Sequence, residues 1–206
     1  MGNTCCFFGH RTVAETEKLK ARLTEIIENL IENENVDTFL FGSKSRFDSL
    51  CLETVTEIKE KYPHVKRVYV RAEFPYISEQ YKRYLQESYE ETYYPERIRE
   101  AGRSSYVERN YEMIENSRFC VVYYDQARAP TTRKSGTKVA LDYAVKKGKR
   151  VIRVWGDWLA CLFQNGTFEF GGGHFGLGFK AFGEILRAVE AQHIRNLGNI
   201  VATFAN

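Results

Sequence analysis

The chain has 206 residues, 43% hydrophobic and 28% charged, with a formal net charge of +3 from 30 basic and 27 acidic side chains. These values fit one globular domain with an appendage and exclude long disorder or a fibrous repeat. Charge this balanced does not by itself mark a nucleic-acid or membrane-surface protein.

Residues 3–8 (NTCCFF) form an apolar run before Gly9, too short for a helix and suited to a strand buried on both faces. Thr12 and Glu15 have capping-box spacing, and Leu19, Leu23, Ile26, Ile27, Leu30 and Ile31 follow as one helical stripe ending near Glu34. A second strand is expected at 38–41, before Gly42. Ser45 then caps a helix with the stripe Phe47, Cys51, Val55, Ile58 and Tyr62, and Pro63 stops it. Residues 66–72 read as a third strand. Alternating strands and helices of these lengths imply parallel pairing and right-handed crossovers.

Residues 73–104 are rich in tyrosine and charge, and Tyr81, Leu85 and Tyr89 have helical spacing. This segment reads as an amphipathic helix and loop, or as a tyrosine-lined wall over a ligand. Ser105 and Glu108 again have capping-box spacing, opening a helix through Val107, Tyr111 and Ile114. Residues 119–124 (FCVVYY) form a buried strand, followed by Asp125. The polar loop QARAPTTRKSG leads into a helix from about Thr137 to Lys147, with Val139, Ala140, Tyr143 and Ala144 on its inner face and Gly148 after its end. Residues 150–155 complete the core. The expected fold is α/β, a Rossmann-like, mostly parallel sheet of about five core strands flanked by helices. It occupies residues 1–155. Residues 156–206 form a C-terminal extension, with a glycine-rich loop and a helix from about Lys180 to Gln192, packed on the same domain or on a partner subunit.

Five cysteines form no C-x-x-C pair, and the four histidines are scattered, so neither a disulfide framework nor a metal site is expected. The N-terminus lacks a signal-peptide pattern, and no run approaches the roughly 18 apolar residues of a spanning helix. A cytoplasmic protein with no membrane partner is the expectation. Met1-Gly2 with Cys5 and Cys6 resembles a lipidation signal, but Cys6 stands where Ser or Thr is wanted.

Ligands of open parallel sheets bind beyond the strand carboxyl ends. Three turns there share a character. Gly9-His10-Arg11 follows the first strand. Gly42-Ser43-Lys44-Ser45 precedes the second helix, with Phe47 and Asp48 in its first turn. Ser135-Gly136-Thr137 opens the last core helix. Glycine, hydroxyls and cations at helix N-termini suit an anion, although capping alone also explains such residues. Neither a Walker loop nor a G-x-G-x-x-G fingerprint is present.

FFGHR, FGSKSRFD and SGTKVALDYA, with YVERNYEMIENSRFCVVYYD between the last two, resemble the YpsA-like family. That family belongs to the Rossmann-like SLOG superfamily, which includes the Lonely Guy phosphoribohydrolases and DprA. The resemblance runs from about Asn3 to Val154. It implies a nucleotide pocket at the strand ends. Gly9, His10 and Arg11 match the first motif, and Gly42, Phe47 and Asp48 the second. Arg109 and Asn110 fall where the family places polar ligand-facing groups, and Gly136 and Thr137 match its phosphate loop. The chain departs at Ser135 and at Lys44 or Ser45, where the superfamily commonly has glycine. It departs again at Ala140, where Lonely Guy enzymes carry a catalytic glutamate.

The leading expectation is a sensor or sequestering protein for a nucleotide or an NAD- or ADP-ribose-derived ligand. Arg11 and the Gly136 and Thr137 amides would hold phosphate, Asp48 a ribose hydroxyl, and Tyr76 or Tyr81 the base. No cofactor is required in this reading. The resemblance also implies nucleotide signalling in bacterial or phage conflict systems and leaves a homo-oligomer open. An alternative is an N-glycosidic nucleotide hydrolase, with His10 or Asp125 for acid–base work and Glu108 or Asp125 replacing the missing glutamate. A second alternative is a DprA-like nucleic-acid binder using Arg128, Arg133, Lys134, Lys138 and residues 146–150.

Overall fold

A computed structural model describes residues 3–14, 17–42, 45–125 and 135–154. These all belong to the first of two units into which the chain divides, Met1–Asn165. The expected tail helix and glycine-rich loop, most of the polar loop after Asp125, and the Glu15 half of the first capping box lie outside the described residues, as do Ser43 and Lys44.

Six strands form one all-parallel sheet in the order β4-β3-β2-β1-β5-β6. They are β1 (Asn3–Gly9), β2 (Val36–Phe41), β3 (Lys66–Val70), β4 (Glu91–Tyr93), β5 (Phe119–Tyr123) and β6 (Arg150–Arg153). The helices are α1 (Glu17–Glu34), α2 (Arg46–Ile58), α3 (Glu79–Gln86), α4 (Ser105–Glu115) and α5 (Gly136–Lys146). The α/β, Rossmann-like expectation holds, with one strand more than the sequence suggests.

Strand alternation sends side chains to two cores. Cys5 and Phe7 of β1, Phe39 and Phe41 of β2, and Phe119, Val121 and Tyr123 of β5 meet the apolar stripes of α1 and α2. Cys6 and Phe8, Leu40, and Cys120 and Val122 point the other way, against Met113 and Ile114 of α4 and Ala140, Leu141 and Ala144 of α5. Both cysteines of the N-terminal run are therefore core residues. Burial pushes the Cys5 and Cys6 thiols well up, reinforced by neighbouring Cys120.

Several local expectations are met. Ser45 caps α2, its hydroxyl accepting from the Asp48 N–H at 3.1 Å. Gly148, at φ +65°, ends α5 in the left-handed region, and the Lys149 N–H donates to the Ala144 carbonyl at 3.0 Å.

Others are corrected. The Ser105–Glu108 capping box does not form. A 3-10 turn at Gly102–Ser104 leads into α4, the Ser105 hydroxyl donates to the Gly102 carbonyl, and Glu108 pairs with Arg97 at 3.0 Å. Tyr89 lies beyond α3 and packs its ring on Tyr69 and Phe41. On α5, Leu141 is buried where the stripe pointed to Val139, and half-buried Tyr143 stacks on Tyr111 of α4 with centroids 3.7 Å apart.

That α4–α5 contact is locked at Glu115. Its carboxylate accepts from the Tyr143 hydroxyl, from Lys147 at 2.9 Å and from Arg97 at 2.6 Å. The Tyr143 hydrogen bond first, then Lys147 and Arg97, hold the Glu115 carboxyl down at about 2. A depressed folded value stabilises fully above the ordinary carboxylate value of 4.5 and loses that contribution as pH falls through about 2. The Glu115 side chain is 34% exposed, so screening keeps the contribution to about 0.5–1 kcal/mol. Glu115→Gln is expected to lower stability by that amount at pH 7. The gap from wild type should close as pH drops from 4.5 towards 2, read by urea unfolding across pH.

Candidate ligand site

The strand order reverses at β1. From β1 the chain leaves to the α1–α2 face, and from β5 it leaves to the α4–α5 face. The carboxyl ends of these adjacent strands therefore flank a topological switch point, where the two crossovers diverge and open a crevice.

Gly9 ends β1 there. A Cβ on Gly9 would sit 2.3 Å from the Phe47 ring. That ring is fully buried and stacks on Tyr123 at the end of β5, with centroids 5.5 Å apart. Phe47 is thus the packed floor beneath the first turn, and Gly9 is the space it fills. The two turns are joined by the Arg46 N–H, which donates to the Arg11 carbonyl at 3.0 Å. Arg11 itself is exposed above this floor.

His10 is 9% exposed. Its ring stands edge-on to Tyr123 and tilted over Tyr124, with centroids 6.0 and 5.4 Å away. Its Nε2 lies 2.8 Å from the Asp125 main-chain N–H and 3.1 Å from the Asp125 carbonyl oxygen. The structure thus brings the two acid–base candidates together through the Asp125 main chain.

Arg109 of α4 reaches under the neighbouring strand ends and is only 3% exposed. Its Nη1 donates to the Gly42 carbonyl after β2 and to the Val70 carbonyl of β3 at 3.4 Å, and its Nε donates to Asn110 at 3.0 Å. A Cβ on Gly42 would meet Arg109 Nη1 at 2.6 Å. Burial lowers the Arg109 pKa, and the negative charge of buried Asp48 opposes that shift, with smaller help from Tyr69, Glu73 and Tyr106. The negative charge of buried Asp48 thus favours the charged form of Arg109. Asn110 is half-buried beside them.

The third turn differs. Ser135 caps α5, its hydroxyl accepting from the Lys138 N–H at 3.1 Å and its carbonyl from the Val139 N–H at 3.0 Å. That leaves the Gly136 and Thr137 amides in the first turn, where a helix has no acceptor of its own for them. Gly136 is exposed, and a Cβ there would have nothing within 4 Å. Among the described residues no contact explains this glycine, in contrast to Gly9 and Gly42. Ala140, one turn on, is buried against the sheet. Glu108, the other carboxylate considered for its missing function, is engaged by Arg97.

Tyr76 is 85% exposed in the turn after β3, whereas Tyr81 is half-buried and stacks on Tyr84. Sequence reasoning passed over Tyr106, exposed at the start of α4, with the Arg109 guanidinium 5.8 Å from its ring centroid. The spacing of these two residues on one helix face was the available signal. Arg71 was also missed. Its Nη1 donates to the Phe74 and Pro75 carbonyls at 3.0 and 3.2 Å and fixes the turn that presents Tyr76.

Among the described residues, no group of three or more His, Cys, Asp or Glu side chains could hold a metal ion, and no helix is long and apolar enough to cross a membrane. A search of curated proteins finds no match. The YpsA family model, described as the YspA SLOG family, matches residues 5–159, from within β1 to beyond β6 and so across the whole sheet that builds this crevice. The chain belongs to this family.

Proposed function

We propose that the protein binds a nucleotide or an NAD- or ADP-ribose-derived ligand at the β1–β5 switch point, as a sensor or sequestering protein. The observation that carries this reading is the open first turn of α5. Gly136 is exposed with no packing neighbour among the described residues, and two amides of a helix N-terminus lie beside it, a combination that favours phosphate. Arg11, exposed after β1, would supply a guanidinium for the same group. Membership of a SLOG family fits a nucleotide-related role. Buried Ala140 in place of a carboxylate favours binding over N-glycosidic cleavage.

The test is thermal shift against NAD, ADP-ribose, cyclic ADP-ribose isomers, AMP and cyclic dinucleotides, with mass spectrometry of each mixture afterwards. A ligand that binds only the folded state raises Tm by mass action. A shift with intact nucleotide supports the sensor, and a shift with release of free base makes the protein a hydrolase. No shift with any nucleotide overturns the reading.

Gly136→Val gives an internal check. A Cβ there meets no described atom within 4 Å, so Tm should stay within about 2 °C of wild type. Nucleotide affinity should fall at least tenfold, because the side chain blocks the approach to the amides. Full affinity in the folded variant would remove the α5 turn from the site.

A further inference from the structure

We propose that His10 is a positioning residue held as a neutral imidazole, with Nε2 committed to the protein and Nδ1–H offered to an acceptor oxygen of the ligand. This rests on the nucleotide-binding reading above and assigns His10 a role distinct from acid–base work. A main-chain N–H can only donate, and the Asp125 N–H points at Nε2 from 2.8 Å. Nε2 must present its lone pair to receive it. A neutral imidazole carries one N–H, which therefore resides on Nδ1. The longer 3.1 Å contact of Nε2 with the Asp125 carbonyl would be a hydrogen bond only if Nε2 were protonated, and the N–H would then face another N–H.

The ring is fixed on several sides. Tyr123 meets it edge-on, Tyr124 lies tilted against it, and little of it reaches solvent. His10 thus fastens the end of β1 to the end of β5 at the switch point, with its orientation set before a ligand arrives. Nδ1 has no hydrogen-bond partner among the described residues. A nitrogen whose lone pair already serves Asp125 cannot accept a substrate proton without breaking that bond. What remains is a preoriented donor, suited to a phosphate or sugar oxygen.

The two ring nitrogens can be tested separately. Glutamine places its terminal group near the position of Nε2 and asparagine near that of Nδ1. His10→Gln keeps an acceptor for the Asp125 N–H and loses the ligand donor. Tm should hold within about 3 °C, and ADP-ribose affinity should fall tenfold or more by calorimetry. His10→Asn keeps the donor and loses the fastening bond. Tm should drop further than in His10→Gln, and affinity at a temperature where the variant is folded should stay within threefold of wild type. The reverse pattern overturns the proposal.

Two-bond 1H–15N spectra of wild type at pH 7 provide a ligand-free readout. The histidine signal absent from His10→Gln should show a protonated Nδ1 and a bare Nε2. A protonated Nε2 overturns the assignment. If wild type binds no nucleotide of the panel, ADP-ribose included, the nucleotide reading and the donor role fall together. If wild type binds and His10→Gln binds equally well, only the donor role falls.

Discussion

Gly9→Ala is expected to destabilise the protein by about 2–3 kcal/mol, a fall in Tm of roughly 5–10 °C, without any ligand present. The cause is overpacking. The new methyl would lie 2.3–2.4 Å from three atoms of Phe47, and real Cβ contacts do not come that close. Phe47 cannot retreat, because Tyr123 is stacked behind it and both rings are fully buried. The backbone of β1 would have to shift instead, and β1 is paired on both sides. Combining Gly9→Ala with Phe47→Leu should cost less than the sum of the two single changes, since the smaller side chain vacates the space the methyl needs. Additive losses in urea unfolding would refute this packing account of the glycine.

Arg109→Met should cost more, about 3–5 kcal/mol. The substitution leaves the Gly42 carbonyl without its guanidinium donor and removes a buried positive charge that Asp48 feels. The carbonyl becomes a desolvated acceptor facing an apolar side chain. Lysine keeps the charge but has no second donor to match the Nε–H given to Asn110, so Arg109→Lys should recover only part of the loss. The measurement is denaturant unfolding of ligand-free protein. A Met variant as stable as wild type that only fails to bind nucleotide would return Arg109 to the ligand.

These two cases show what the sequence could and could not convey. The order of strands and helices was legible because β1, β2 and β5 are buried on both faces and read as continuous apolar runs. Stripes on α1 and α2 were legible because each helix buries one face, so its apolar residues recur every three or four positions. β4 was not. Its three residues, Glu91–Tyr93, carry no buried side chain and become a strand only by pairing with β3. The turns at the strand ends were located correctly, but the purpose of their glycines was not readable. A glycine beside cations looks like a ligand loop whether the space above it holds phosphate or a distant part of the same chain. Phe47 fills the space at Gly9 and Arg109 the space at Gly42, whereas a Cβ at Gly136 meets no described atom within 4 Å.

The place of β1 in the sheet also governs how the chain must be made. Within this sheet β1 is translated before the other strands, yet one of its edges pairs with β2 and the other with β5, whose residues 119–123 are translated far later. The β2–β3–β4 wing can add to β1 as it emerges. Until β5 arrives, the other edge of β1 presents unpaired main-chain groups beside Cys6, Phe7 and Phe8. That open edge makes the half-synthesised chain, rather than the finished protein, the form most exposed to strand-to-strand association and most in need of a chaperone.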